Sequence, residues 1–156
     1  MTGAGGQIGS WLVPKLRGLY GNSRVIATDI RQLDPEMVES GLFELLDATD
    51  SEAVGEAVES HRVGLVYHLA AVLSATGERD PRRAWRVNMS SLEAVLEVAR
   101  HQGCAVFTPS SIGVFGSGTP KDLTPQDTVM QPTTMYGITK LAGELLCNYY
   151  LSLIHI

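Results

Sequence analysis

The sequence predicts an α/β domain built on a doubly wound parallel sheet, and three observations predict it. Short apolar runs alternate with stretches of helical periodicity along nearly the whole chain. Glycines recur every third residue at its start, in Thr2-Gly3-Ala4-Gly5-Gly6-Gln7-Ile8-Gly9. An acidic residue, Asp29, closes the first full apolar run twenty positions after Gly9. A parallel sheet needs crossover connections, and helices supply them on both faces.

The elements follow in order. Ile8, Leu12, Leu16 and Leu19 share a helical face, so Gln7 to Leu19 reads as a helix closed by Gly21-Asn22. Pro14 sits inside it and removes one backbone donor. Arg24–Thr28 reads as a short buried strand, and the polar segment with Asp34-Pro35 reads as a loop. Leu42–Leu46 is the next strand, ending in Asp47, and Ser51–His61 is a helix with Asp50 as N-cap. Gly64–Ala71 reads as a buried strand running into small residues. Pro81 opens a long helix that reaches His101 and stops at Gly103. Ala105–Thr108 is a further strand leading into Pro109-Ser110-Ser111, and a loop with Pro120, Pro125 and Pro132 precedes a last helix from Thr134 to about Leu151.

Two features of the ends stand out. Only Met1 precedes Thr2, whereas a glycine turn of this kind hangs from a central strand. The reading is therefore of a domain over residues 1–150 whose first strand is missing. The tail 151–156 is of doubtful origin; a buried strand is one reading of it, and His155 receives no role.

Composition narrows the function. The 156 residues carry a formal net charge of −5, with 12 basic and 17 acidic side chains. No basic stripe argues for nucleic acid, no apolar run has membrane-spanning length, and Pro81-Arg82-Arg83 reads as a solvated helix start. Two cysteines, Cys104 and Cys147, form neither a disulfide framework nor a metal site and suit a reducing compartment.

The chemistry concentrates in two places. In the glycine turn, Gly3 permits a tight bend, Gly6 lets a pyrophosphate approach the backbone, and Gly9 lets the helix pack closely. The helix N-terminus then presents N–H groups to the phosphates, and Asp29 accepts hydrogen bonds from a ribose diol, which favours NAD over NADP. Arg31 lies close enough to soften that preference. In Tyr136-Gly137-Ile138-Thr139-Lys140 the phenol and ammonium are four apart and share a helical face. A nearby cation pulls a tyrosine pKa down from about 10, which suits an acid/base for carbinol–carbonyl interconversion. Ser110 and Ser111 follow a strand, at the sheet edge where open α/β folds bind ligands, and a hydroxyl there can donate to a reacting oxygen.

These residues resemble the extended short-chain dehydrogenases/reductases of the NAD-dependent epimerase/dehydratase group. The matching pieces are the Gly3, Gly6 and Gly9 turn, Asp29, Asp47, His68-Leu69-Ala70-Ala71, Val87-Asn88, Ser110-Ser111 with Val114-Phe115-Gly116, and Tyr136 with Lys140. The resemblance implies a Rossmann-type fold, NAD as cofactor, and a C-terminal substrate domain that is missing after about Tyr150. It implies Ser111, Tyr136 and Lys140 as the catalytic residues, with Tyr136 and Lys140 also touching NAD. Gly3, Gly6, Gln7, Ile8, Gly9, Asp29, Ile30, Arg31, Asp47, Ala48, Leu69, Ala70, Ala71 and Asn88 would complete the cofactor site, Asp29 at the adenosine ribose and Asp47 at the adenine. Within the group, Ala71–Glu78, Leu12–Leu16, Ile26–Arg31, Thr119–Lys121, Thr124–Thr128 and Pro132–Tyr136 resemble bacterial L-threonine 3-dehydrogenases. That likeness implies L-threonine as a small-molecule substrate touching Ser74, Ser111 and Tyr136, with 2-amino-3-oxobutyrate as product. It also implies threonine catabolism in the cytoplasm, no metal, no nucleic acid or membrane partner, and a homodimer through the two long helices, with Trp85 on a core or an interface face. A sugar-nucleotide 4-epimerase or dehydratase shares every catalytic residue and stays open as an alternative. So does a cofactor-binding fragment that is inactive alone.

Overall fold

Thr2 is the residue that joins the sheet. Strands β1 (Ala27–Asp29) and β2 (Phe43–Leu45) pair in parallel, with Ala27 opposite Phe43, and β3 (Leu65–Tyr67) pairs in parallel with β4 (Ala105–Phe107), with Leu65 opposite Ala105. Thr2 forms parallel bridges to Thr28 on one side and to His68 on the other. Its N–H donates to the Tyr67 carbonyl at 3.0 Å and its carbonyl accepts from Leu69, while Met1 O accepts from Thr28 N–H at 2.8 Å. The resulting order is β2-β1-Thr2-β3-β4. Where the sequence reading has no first strand, Met1 and Thr2 stand between β1 and β3. On the N-terminal side of Thr2 lies a cavity of about 600 Å³ lined by Met1, Val25, Ile26, Val63, Leu65 and Tyr67. Leu65 opens onto it, which is why this strand is not buried throughout as expected.

The computed structural model describes residues 1–154; His155 and Ile156 lie outside the described residues. It forms two compact units, Met1–Ala70 with Ser91–Pro109, and Ala71–Ser90 with Ser110 onward. In the first unit, α1 (Gln7–Tyr20), α2 (Pro35–Glu39), α3 (Ser51–Ser60) and the second half of α5 (Pro81–Gln102) surround the strands. Alternation along β3 sends Val66 into one apolar cluster, with Val54, Val58, Val95, Val98 and Ala99. Tyr67 packs against the other, which holds Ala4, Val13, Leu16, Val25 and Ala27. Two cores on opposite faces make this a doubly wound α/β sheet. Asp50 caps α3 by accepting from the N–H groups of Glu52 and Ala53, both at 3.1 Å. The exposed position of Pro14 leaves the Ser10 carbonyl, deprived of its helical donor, on the solvent side.

Arg17 fastens α1 to the segment before β2. Its guanidinium donates to Met37 O at 2.6 Å, Ser40 Oγ at 2.5 Å and Leu42 O at 2.6 Å, while only 3% of the residue is exposed. Burial holds its pKa below the usual arginine value, and no carboxylate among the described residues forms an ion pair with it. Arg17→Met keeps the apolar stem but strands these acceptors. The variant is expected to lose about 1.5–3 kcal/mol of stability, the worth of hydrogen bonds from a charged donor, since water can still reach these part-buried acceptors. Urea unfolding checks it; a loss below about 0.5 kcal/mol, the range of neutral surface changes, overturns the clasp.

The second unit contains α4 (Ser74–Arg79), the first half of α5, a 3-10 turn at Ile112–Val114, and α6 (Met135–Ile154). Four expectations are corrected. The first strand starts later, at Ala27, because Asn22–Arg24 is spent in a 3-10 turn. The Asp34-Pro35 loop contains α2, which Pro35 opens at its first position and Arg17 holds from outside. Residues after β3 contain α4, too short to show a periodicity. The last helix runs on to Ile154, so the strand reading of the tail does not hold for 151–154.

Candidate active site

The first unit builds a cradle around the glycine turn. Gly3 has φ +68°, and a Cβ there would lie 2.7 Å from the Ala70 nitrogen and 2.8 Å from the Leu69 carbonyl carbon. Only glycine lets the turn lie this close to the end of β3. Gly9 does the same at the helix, where a Cβ would fall 2.5 Å from Ala4 O. Gly6 is the N-cap of α1; no side chain caps this end, and its first turn carries no acid. The Gly6 N–H donates to Gly3 O at 3.1 Å, which closes the turn, while the exposed Gln7 and Ile8 leave orphan N–H groups and the positive end of the helix dipole facing outward together.

Asp29 pins the turn. It is 6% exposed; its Oδ2 accepts the Gly5 N–H at 2.9 Å and its Oδ1 accepts the Arg31 N–H at 3.1 Å. The Arg31 side chain is exposed and its Nε stands 3.9 Å from Oδ1, a loose pair of little energetic weight. Ile30 is also exposed. A pocket of about 250 Å³ beside the carboxylate is lined by Gly5, Ser10, Arg31, Gln32 and Asp34 among others. Asp47 is exposed and accepts from Thr49 N–H and Oγ1, Ala48 is buried, and Leu69 and Ala70 are half-buried. An uncapped helix start, glycines whose missing Cβ atoms leave room, and a fixed carboxylate at the end of β1 fit a dinucleotide. His68, which sequence reading left without a role, is buried between Thr2 Oγ1 (2.9 Å from Nδ1) and Ser91 Oγ (3.2 Å from Nε2).

The second unit holds the residues expected to carry acid/base chemistry, Ser111, Tyr136 and Lys140. Thr134 caps α6, its Oγ1 accepting from Gly137 N–H at 3.0 Å, so Tyr136 lies in the first turn and Lys140 one turn further on. Lys140 Nζ stands 5.7 Å from the centre of the Tyr136 ring, and burial holds the lysine pKa below its usual value. Ser111 Oγ accepts from Gly113 N–H at 3.1 Å. The 3-10 turn meets α6 at a pair of glycines: a Cβ on Gly137 would fall 2.0 Å from Gly113 O, and one on Gly113 would fall 3.4 Å from both Ser111 Oγ and Tyr136 Cδ1. That contact ties the turn that follows Ser111 to the first turn of α6, which carries Tyr136. It went unread because a glycine inside a Tyr-x-x-x-Lys spacing looks interchangeable; its partner lies in another element.

Asn88 is buried and spends its amide within the chain. Its Oδ1 accepts from Val72 N–H at 2.7 Å, and its Nδ2 donates to Val72 O and, at 3.0 Å, to Thr139 Oγ1, which donates to Tyr136 O. Ala71, next to Val72, is half-buried. Ser110 Oγ donates to Glu144, one turn beyond Lys140. Ser74 is the exposed first residue of α4. Among the described residues no group of three His, Cys, Asp or Glu side chains is arranged to hold a metal, and no helix is long and apolar enough to cross a membrane.

A parallel sheet with this turn and this carboxylate defines a Rossmann-type dinucleotide-binding domain. The chain belongs to the NAD dependent epimerase/dehydratase family, whose model matches residues 1–153. It is 54% identical over 151 residues to an uncharacterised epimerase/dehydratase of Staphylococcus haemolyticus, covering 96% of this chain and 48% of the relative. Among solved structures it is similar to L-threonine dehydrogenase from Clostridium difficile, with 50% identity and TM-score 0.94 over 97% of this chain and 48% of that one. The GalE-like L-threonine dehydrogenase of Cupriavidus necator gives 47% identity and TM-score 0.94, covering 99% and 51%. UDP-glucose 4-epimerase from Thermotoga maritima gives 28% identity and TM-score 0.89, covering 99% and 51%. The chain thus spans about half the length of these relatives.

Proposed function

We propose that this chain is the cofactor-binding and catalytic part of an NAD-dependent oxidoreductase that converts L-threonine to 2-amino-3-oxobutyrate. The observation that carries the choice of substrate is a contrast of likeness. Identity is 47–50% to two solved threonine dehydrogenases, against 28% to a UDP-glucose epimerase with the same fold. The arrangement of Ser111, Tyr136 and Lys140 supports alcohol oxidation but does not by itself choose the alcohol.

The roles follow from the chemistry of each group. The N–H groups at Gln7 and Ile8 would bind the pyrophosphate, which the missing Cβ of Gly6 lets approach, with Gly3 and Gly9 keeping the turn tight; Asp29, flanked by Ile30 and Arg31, would bind the adenosine ribose, and Asp47 the adenine. Tyr136, as phenolate, would take the hydroxyl proton while Ser111 Oγ donates to the reacting oxygen. Lys140, whose Nζ stands 5.7 Å from the ring centre, would stabilise the phenolate by its charge. Bound NAD supplies the acceptor for the hydride. Ser74 would touch the amino-acid substrate. Trp85, Leu145 and Tyr149, exposed on α5 and α6, suit a homodimer contact, and the free thiols Cys104 and Cys147 suit the cytoplasm.

The test joins this chain to the second half of the Clostridium difficile enzyme and follows NADH absorbance. Net NADH on adding L-threonine supports the reading. Turnover of UDP-glucose without threonine oxidation moves the protein to the epimerases.

A further inference from the structure

The Ser74-bearing helix packs on the Tyr136-bearing helix, and one carboxylate hydrogen-bonds across the contact. Glu78, on α4, accepts a hydrogen bond from the backbone N–H of Met135 at 2.7 Å. Met135 is the first residue of α6, and Tyr136 is the next. A helix leaves its first N–H groups without partners inside itself. Thr134 satisfies the one at Gly137, and Glu78, reaching from a separate element, satisfies the one at Met135. The bond is charge-assisted and lies at the positive end of a 20-residue helix, where a carboxylate is favoured.

Helix α4 needs such a fastening. Its six residues are too few to hold a helix alone, and Leu73, its N-cap, provides no side-chain cap. Besides its general packing on α6, two contacts bear on its placement. Gly77 packs on α5 closely enough that a Cβ would lie 3.2 Å from Ala84 Cβ, and Glu78 grips α6. Gly77 supplies packing without direction, whereas the Glu78 bond sets how α4, and Ser74 with it, is turned toward the start of α6. We propose that Glu78 is a positioning residue: its carboxylate locks the substrate-contacting helix to the first turn of the helix that carries the acid/base, and so sets the geometry in which the substrate's alcohol meets Tyr136. This rests on the oxidoreductase reading above.

The test uses two variants and two readouts. Glu78→Ala removes the acceptor; Glu78→Gln keeps an oxygen in the same place. By amide hydrogen exchange on this chain, Glu78→Ala should speed exchange at Met135 and across 74–79 by about tenfold, the scale of one charge-assisted bond. Glu78→Gln should restore most of the protection. In the chain completed as above, Glu78→Ala should raise KM for threonine with NAD affinity unchanged, and Glu78→Gln should bring KM back toward the parent value. Unchanged exchange at Met135 in Glu78→Ala overturns the fastening. Faster exchange with an unmoved KM overturns the positioning role. If the completed parent chain does not oxidise threonine, the substrate reading fails, and the exchange result still decides whether α4 is held by Glu78.

Discussion

Replacing Tyr136 with phenylalanine is expected to lower turnover by about 10²–10⁴-fold, the range that a positioned general acid/base contributes, while NAD affinity stays nearly unchanged. The change removes one oxygen. The ring still occupies its half-buried place in the first turn of α6, Lys140 still stands 5.7 Å from its centre, and Gly113 still packs beside it. What is lost is the oxygen proposed to take the hydroxyl proton. Titration with NAD reads the first half of the expectation, and NADH formation by the completed chain reads the second. Turnover within about tenfold of the parent, less than a general base supplies, removes the tyrosine from the chemistry.

Gly137→Ala is the second large effect, and two opposed terms decide its sign. Inside a helix, alanine is favoured over glycine by roughly 0.5–1 kcal/mol. Against that, the new methyl would stand 2.0 Å from Gly113 O and 2.8 Å from Pro132 Cβ. No rotamer relieves a clash between Cβ and backbone, so the 3-10 turn at Ile112–Val114 must move away from α6. Overpacking of this kind costs about 1–3 kcal/mol, and a shift near 1 Å in a reacting group costs on the order of 10² in rate. We expect lower stability and a loss of turnover of that order, because Ser111 travels with the displaced turn. Gly18→Ala is the control: Gly18 lies in α1 with nothing within 4 Å of its Cβ position, so only the helical gain applies there. A Gly137→Ala protein as stable as Gly18→Ala would mean that the two glycines do not touch.

The legible parts of this chain are those whose cause is local. The glycine triplet can be read because a turn at Gly3 and a close approach at Gly9 depend on residue type alone, and Asp29 stands where the run of Val25, Ile26 and Ala27 ends. Tyr136 and Lys140 could be paired because helix period puts residues four apart on one face. The helices that were missed, α2 and α4, have five and six residues and no apolar stripe. They exist because Arg17 holds the end of one and Gly77 and Glu78 hold the other. Asp29 was read as a ligand for ribose; that the same carboxylate also ties down the Gly5 N–H depends on a distance no spacing rule reports.

By itself the sequence determined the alternation of elements, the turn that opens α1, the acid that ends β1 and the helical face shared by phenol and ammonium. These follow from period, residue size and charge within one stretch of chain. Tertiary structure alone decided that Thr2 bridges two strand pairs, that Gly113 meets Gly137, and that Glu78 reaches Met135. Each of these joins residues far apart in sequence, where the outcome depends on whether two backbones can approach within van der Waals or hydrogen-bond distance.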